Sequence, residues 1–162
     1  MLMPVSSDKG AYSDRIEKAM KILALDTALH ACSVAITDAD ELRAFHHEEQ
    51  ARGHAETLLP LVQALMEQAQ VSFEDLDLIA VSVGPGTFTG LRIGLAAARG
   101  LSLASGTPCV GVTTLETLAA SVKPDVANGR PVVATADARR KEIYMQSFVH
   151  LGDNAFPEAI KA

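Results

Sequence analysis

Tryptophan is absent from this chain of 162 residues, and aromatic side chains make up only 4% of it. Packing must therefore come from Leu, Val, Ile and Ala. A hydrophobic content of 48% is enough for one or two small domains. No apolar run approaches the roughly 20 residues that a membrane-crossing helix needs. Residues 1–19 (MLMPVSSDKGAYSDRIEKA) lack the apolar centre of a secretion signal, so the expected location is the cytoplasm. Cysteine is scarce as well. Cys32 and Cys109 sit in apolar, strand-like stretches without metal-ligand spacing, and read as buried thiols of a reducing compartment. Positive charge is short: 14 Lys and Arg against 20 Asp and Glu leave a formal net charge of -6. That balance argues against a chain that grips nucleic acid by itself, since phosphate binding needs clustered cations.

Hydrolytic signatures are missing too. Ser33, Ser82 and Ser102 lie in apolar or helical runs, none in a GxSxG elbow, and Cys109 has no evident base beside it. His46-His47-Glu48-Glu49 with His54 is a local group of ligand types. Adjacent residues on a strand point to opposite faces, however, and no HExxH spacing occurs. The expectation is a chain with no catalytic residues and no metal site of its own.

The most informative stretch is Val81 to Arg92, VSVGPGTFTGLR. An apolar run, Leu78 to Val81, ends in Gly84-Pro85-Gly86 and leads through Thr87 and Thr89 into a helical pattern. Thr87 or Thr89 supplies the N-cap. A strand, glycine turn and helix in this order form a common anion cradle, because the first amides of the helix point at the ligand. Glycine also serves any sharp strand-to-helix turn, so this pattern leaves both readings open. Asp26-Thr27, at the end of the first apolar run, are the other candidates for holding a phosphate, with Gly84 and Gly86. The turn after them, Ala28-Leu29-His30, has no glycine to bring backbone close to a phosphate.

The remaining pattern predicts strands over Lys21–Asp26, Cys32–Thr37 and Leu42–Glu48, then a helix over about His54–Gln70. That helix carries Ala55, Leu58, Leu59, Val62, Leu65, Met66 and Ala69 on one broad face, with Leu61 and Ala64 off it. A strand at Leu78–Val83, a helix at Thr89–Ala104, a strand at Cys109–Val112 and a short helix at Leu115–Val122 follow. The order βββαβαβα belongs to an α/β chain. Val133 to Ala138 then echoes Ile22 to Ala28, a weak internal repeat that suggests two similar lobes. Pro124 to Pro131 is the natural boundary between them. On the second helix Gly90, Gly94 and Ala98 make a stripe of small residues, and Arg92 and Arg99 lie on nearly one face, able to pair with carboxylates.

GPGTFTGLRIG followed by Gly111-Val112-Thr113-Thr114-Leu115-Glu116 resembles the TsaB (YeaZ) family, relatives of the TsaD/Kae/Gcp proteins. Four further blocks resemble it in order: Met20 to Ala28, Cys32 to Ala35, His54 to Pro60, and Asp137 to Tyr144. The resemblance implies an actin-like ATPase (ribonuclease H-like) fold with duplicated lobes. It divides the chain into an extension at 1–19, expected to be disordered, a first lobe at 20–123, and the start of a second at 124–162. Relatives continue further, so the second lobe is expected to be truncated. The extension itself is open to three readings: a tail, an upstream start or a cloning remnant.

The resemblance also implies a non-catalytic scaffold or activator for making threonylcarbamoyladenosine on tRNA. A TsaD-type catalytic subunit and a TsaE-type ATPase are the implied partners, with a homodimer when alone and tRNA met only through the complex. Its interface is expected at Leu58, Leu61, Leu65, Gly90, Arg92, Gly94, Ala98 and Arg99. ATP and metal would belong to the partner subunit. Catalytic relatives carry a metal-binding HxxxH pair where this chain has Thr114 and Leu118. The competing readings are an actin-fold nucleotide-binding enzyme or M22-type metallopeptidase, and a homodimeric structural protein.

Overall fold

The computed structural model describes residues 20–49, 53–149 and 157–160; the segment 1–19 lies outside them. Its first part is a five-stranded sheet in the order β3-β2-β1-β4-β5. Strands β1 (Lys21–Asp26), β2 (Ala31–Asp38) and β3 (Glu41–Glu49) form an antiparallel meander. Strands β4 (Leu78–Ser82) and β5 (Cys109–Val112) continue the sheet in parallel with β1. Parallel neighbours need crossovers. Helices α1 (His54–Ala69) and α2 (Phe88–Ser105) supply them.

Alternation decides which face they cover. Leu23 and Leu25 on β1 stand beside Ile36 and Val34 on β2 and Ile79 and Val81 on β4, all buried. Leu58, Val62, Leu65, Met66 and Ala69 of α1 join them in one core, with Ala98 of α2. The apolar stripe of α1 is narrower than the sequence suggests. Ala55 is exposed at its edge and Leu59 is 50% exposed, while Leu61 packs partly into the core. At the far end of α2, Gly106 takes φ 73, a left-handed cap that glycine adopts at little cost.

The second part is a three-stranded sheet, β6 (Val132–Arg139), β7 (Glu142–Val149) and β8 (Glu158–Ala159). Like β1 and β2, its first two strands pair antiparallel, and Asp137 stands opposite Ile143 much as Asp26 stands opposite Ser33. The echo in the sequence is thus an echo in topology. Helix α3 (Thr114–Ala120) precedes it, with Thr113 and Glu116 forming a reciprocal capping box. Leu115 and Ala119 of α3 pack on Ala134 and Phe148, not on the first core. By packing, α3 therefore goes with the second sheet, although the expected boundary at Pro124 assigned it to the first lobe. Pro124–Ala127 itself forms a short helix, α4.

The two cysteines divide. Cys32 is fully buried as expected, but Cys109 is exposed. Strand β5 is the outermost of its sheet, bonded only to β4, so an apolar sequence here does not bring enclosure. Desolvation, by burial at Cys32 and only by partial shielding of the thiol at the exposed Cys109, is the largest cause raising both thiol pKa values above the ordinary range, and Arg99 opposes it at Cys109. Iodoacetamide at mildly alkaline pH is expected to label Cys109 in the native chain and Cys32 only after denaturation, read by peptide mass.

Candidate functional site

Asp26, Thr27, Gly84 and Gly86 come together at the C-terminal ends of β1 and β4. Asp26 Oδ1 accepts from the Ala28 amide at 2.8 Å, closing its own turn. Thr27 is buried, and its Oγ1 donates to the Gly90 carbonyl at 2.8 Å. The Thr87 amide donates to the Ala28 carbonyl at 2.6 Å. Thr87 is the N-cap of α2, its hydroxyl accepting from the Gly90 amide at 3.2 Å, so Thr89 is free of that task. On the other side, Gly84 accepts from the Thr114 amide at 2.8 Å.

The glycines are there because backbone fills the space. A Cβ on Gly86 would strike the Ala28 carbonyl, and one on Gly90 the Thr27 carbonyl. Gly94 faces the Thr27 hydroxyl, which a Cβ would approach to 2.6 Å. The turn that resembles an anion cradle therefore spends the Thr87 and Gly90 amides on its own chain.

This corrects the expected interface. Gly90, Gly94 and Ala98 are buried against residues of the first sheet and the loop after β1, so their stripe faces inward. Leu58 and Leu65 are 1% and 4% exposed, held in the core. Gly90, Gly94, Ala98 and Leu65 are closed off from another protein, and Leu58 reaches the surface only as the floor of a groove. Helix period alone gives a smooth face without saying which side the sheet occupies.

Arg92 and Arg99 are exposed, as an interface needs. The outward surface between α1 and α2 is a groove of about 650 Å³. Leu58, Ile93, Ala97 and Leu101 line it from beneath; Leu59, Phe88, Arg92, Ala96 and Gly100 line its more exposed parts. Phe88 is 73% exposed and Leu103, further along α2, 88%. The Arg92 guanidinium lies over the Phe88 ring, 4.8 Å from its centroid, a cation–π contact. Leu59 was read from the sequence as part of the helix's apolar face but not as interface, and Phe88, Ala96 and Gly100 were not singled out. The spacing Phe88, Arg92, Ala96, Leu103 was the signal that could have found the outward face of α2.

A second concavity of about 400 Å³ lies between Leu29, His30, Gly86 and Thr87 on one side and Thr135 to Ala138 and Tyr144 on the other. Leu118 of α3 lines it too. Thr114, one turn earlier, is buried, and its hydroxyl has no hydrogen-bond partner. The possible ligands of the β3 segment do not converge: His47 Nδ1 lies 2.8 Å from Ser33 Oγ, whereas His46 approaches Glu48 at 3.6 Å. Among the described residues no helix is long and apolar enough to cross a membrane.

A model of TsaD, tRNA N6-adenosine threonylcarbamoyltransferase, matches residues 31–161. The chain belongs to the TsaD family. That match takes in both helices of the groove, the glycine turn and the second sheet. Within the family the chain is similar to the tRNA threonylcarbamoyladenosine biosynthesis protein TsaB of Escherichia coli. The two are 40% identical over 129 residues, 80% of this chain and 55% of that one. It spans about half the length of the curated relatives it matches.

Among solved structures, YeaZ from Pseudomonas aeruginosa superposes with a TM-score of 0.79 at 34% identity, covering 88% of this chain and 65% of that one. A ROK hexokinase of Thermus thermophilus gives 0.53 at 16% identity, over 88% of this chain and 49% of that one, a likeness of fold alone. The fold of this TsaD-family chain is thus the actin-like, ribonuclease H-like one.

Proposed function

We propose that the chain is a non-catalytic scaffold or activator in the formation of threonylcarbamoyladenosine on tRNA. It holds a TsaD-type catalytic subunit in a competent arrangement, with a TsaE-type ATPase as third member. The observation that carries this reading is the groove between α1 and α2, where large apolar side chains stand exposed on two adjacent helices. A contiguous apolar surface of this kind marks a protein contact more often than chance. The inward-turned glycine stripe supports the same reading, since it holds α2 close to the sheet and leaves its outer side for another molecule. Alone, the chain covers the groove with a second copy.

Catalysis belongs to the partner. Thr114 and Leu118 stand where catalytic relatives are expected to hold a metal with a histidine pair, and leucine offers no ligand atom. ATP, metal and tRNA are accordingly bound by the assembly rather than by this chain.

The test is light scattering after size exclusion, on the chain alone and mixed with the TsaD-type protein of the same organism. A self-dimer that converts to a one-to-one complex is the expected result; no complex would overturn the reading. One observation favours the competing nucleotide-binding enzyme, namely the cleft of about 400 Å³ beside Gly86 and Thr87. Asp26→Ala separates the two. A scaffold keeps its affinity for the partner within about twofold, because Asp26 closes only a local turn. An enzyme loses ATP binding or turnover, measured on the chain alone.

A further inference from the structure

Among the described residues the two sheets end in four free edges, and three of them are blunted. Strand β3 carries Glu41, Arg43, Glu48 and Glu49 along its length. Strand β5 has four residues and β8 only two. Charge and brevity are common protections against pairing with another chain. The fourth edge has neither. Strand β6 runs for eight residues and is bonded, among the described residues, to β7 alone. From Val132 to Ala136 it bears no charge and no proline, and its register shift comes late, between Asp137 and Arg139. Val132, Val133 and Thr135 are β-branched, which suits a further ladder. In the first sheet the matching strand, β1, gives this same edge to β4.

The face beside the edge is open as well. Helix α3 covers the side of Ala134 and Phe148. On the opposite side stand Val133, Ile143 and Met145, each more than half exposed. Neighbouring apolar side chains next to an unpaired strand make a surface suited to association.

We infer that this edge is a self-association surface, at which β6 of one copy pairs antiparallel with β6 of a second copy. A twofold axis normal to the sheet at Thr135 sets Val132 opposite Ala138, Val133 opposite Asp137 and Ala134 opposite Ala136. Nowhere in that register does a charge meet its like. An edge of this kind is complementary to itself, whereas β3, with Glu48 and Glu49, would meet repulsion in many registers. Two three-stranded sheets become one of six strands. The outward N–H and C=O groups of both edges are satisfied together, and Val133 gains cross-strand neighbours.

This contact is separate from the groove, lying on the other sheet and made chiefly by backbone. Each is closed by its own twofold axis. A chain that uses both grows past a dimer, and a chain that uses one stops there.

The experiment is light scattering over a dilution series from about 200 μM to about 1 μM, because one added ladder is a small interface of the weak, concentration-dependent kind. Leu59→Ala with Phe88→Ala disarms the groove and leaves the edge as it is. That chain is expected to double its mass as concentration rises, from monomer to dimer, and to go no further. Adding Thr135→Lys sets two ammonium groups against each other on the axis, and the mass is expected to stay that of a monomer throughout. Thr135 is exposed, and circular dichroism checks that the fold is kept. Hydrogen exchange on the groove-disarmed chain gives a reading that does not depend on the lysine. The outward amides of β6 are expected to exchange about 10-fold more slowly at the high concentration than at the low one, with those of β3 unchanged. A groove-disarmed chain that stays monomeric at the highest concentration overturns the inference and leaves the edge to a strand of another polypeptide. A dimer that a folded Thr135→Lys chain still forms overturns it too, as does one whose β6 amides gain no protection. None of these results touches the groove reading, which is measured on the complex with the TsaD-type protein.

Discussion

Gly90→Ala is expected to lower the stability of this chain by about 3 kcal/mol or more, toward the upper end for overpacking. The added methyl would meet two things that cannot retreat. One is the carbonyl oxygen of Thr27, part of the backbone joining β1 to β2. The other is the Thr87 hydroxyl at 2.6 Å, already committed as the cap of α2. Relief requires moving either the first turn of α2 or the loop after β1. Both are tied together by the Thr27 hydroxyl on the Gly90 carbonyl and the Thr87 amide on the Ala28 carbonyl. Urea unfolding followed by circular dichroism measures the change as a fall in midpoint at constant slope. Gly100→Ala is the control on the same helix, since a Cβ there meets nothing within 4 Å. It should be neutral or stabilising, alanine being the better helix former. Equal effects at the two positions would show that helix propensity, and not the close approach, explains the glycines.

That contrast also marks what the sequence disclosed and what it hid. The order of elements was legible because each has its own period: alternation in β1 and β2, a 3.6-residue stripe in α1, and glycine between β4 and α2. The echo of the first hairpin in β6 and β7 was legible for the same reason. The facing of the small-residue stripe was not. Gly90, Gly94 and Ala98 fit an inner helix contact as well as an outer one, and only the close approach of Thr27 decides between them. Cys109 misled similarly, because an apolar strand at a sheet edge reads like one at its centre. The turn at Gly84 to Gly86 was read as open between a phosphate cradle and a structural corner. The Thr87 amide that follows it is spent on the Ala28 carbonyl, remote in sequence, and no local pattern carries that information.

The exposed wall of the groove predicts the second large effect. Leu59→Ala with Phe88→Ala is expected to weaken the complex with the TsaD-type protein by about 100-fold or more. Fully burying a large apolar side chain contributes about 1.5–3 kcal/mol, so losing the still-exposed part of two removes roughly 2–4 kcal/mol of binding free energy, the middle of which gives that factor. Leu59 is 50% exposed and Phe88 73% exposed in the free chain, so much of that area is still available to a partner. Little of it contributes to folding. The thermal midpoint of the double variant should therefore stay within a few degrees of the native value, since surface substitutions usually cost under about 0.5 kcal/mol each. Leu58→Ala makes the opposite control. Leu58 is buried in the core shared with Val62, Leu65 and Val34, so its truncation should cost about 2–5 kcal/mol of stability. The two variants thus separate binding from folding. Retained affinity in the Leu59 and Phe88 double variant would remove the groove from the interface. A matching loss of stability would mean that those side chains serve this chain's own fold.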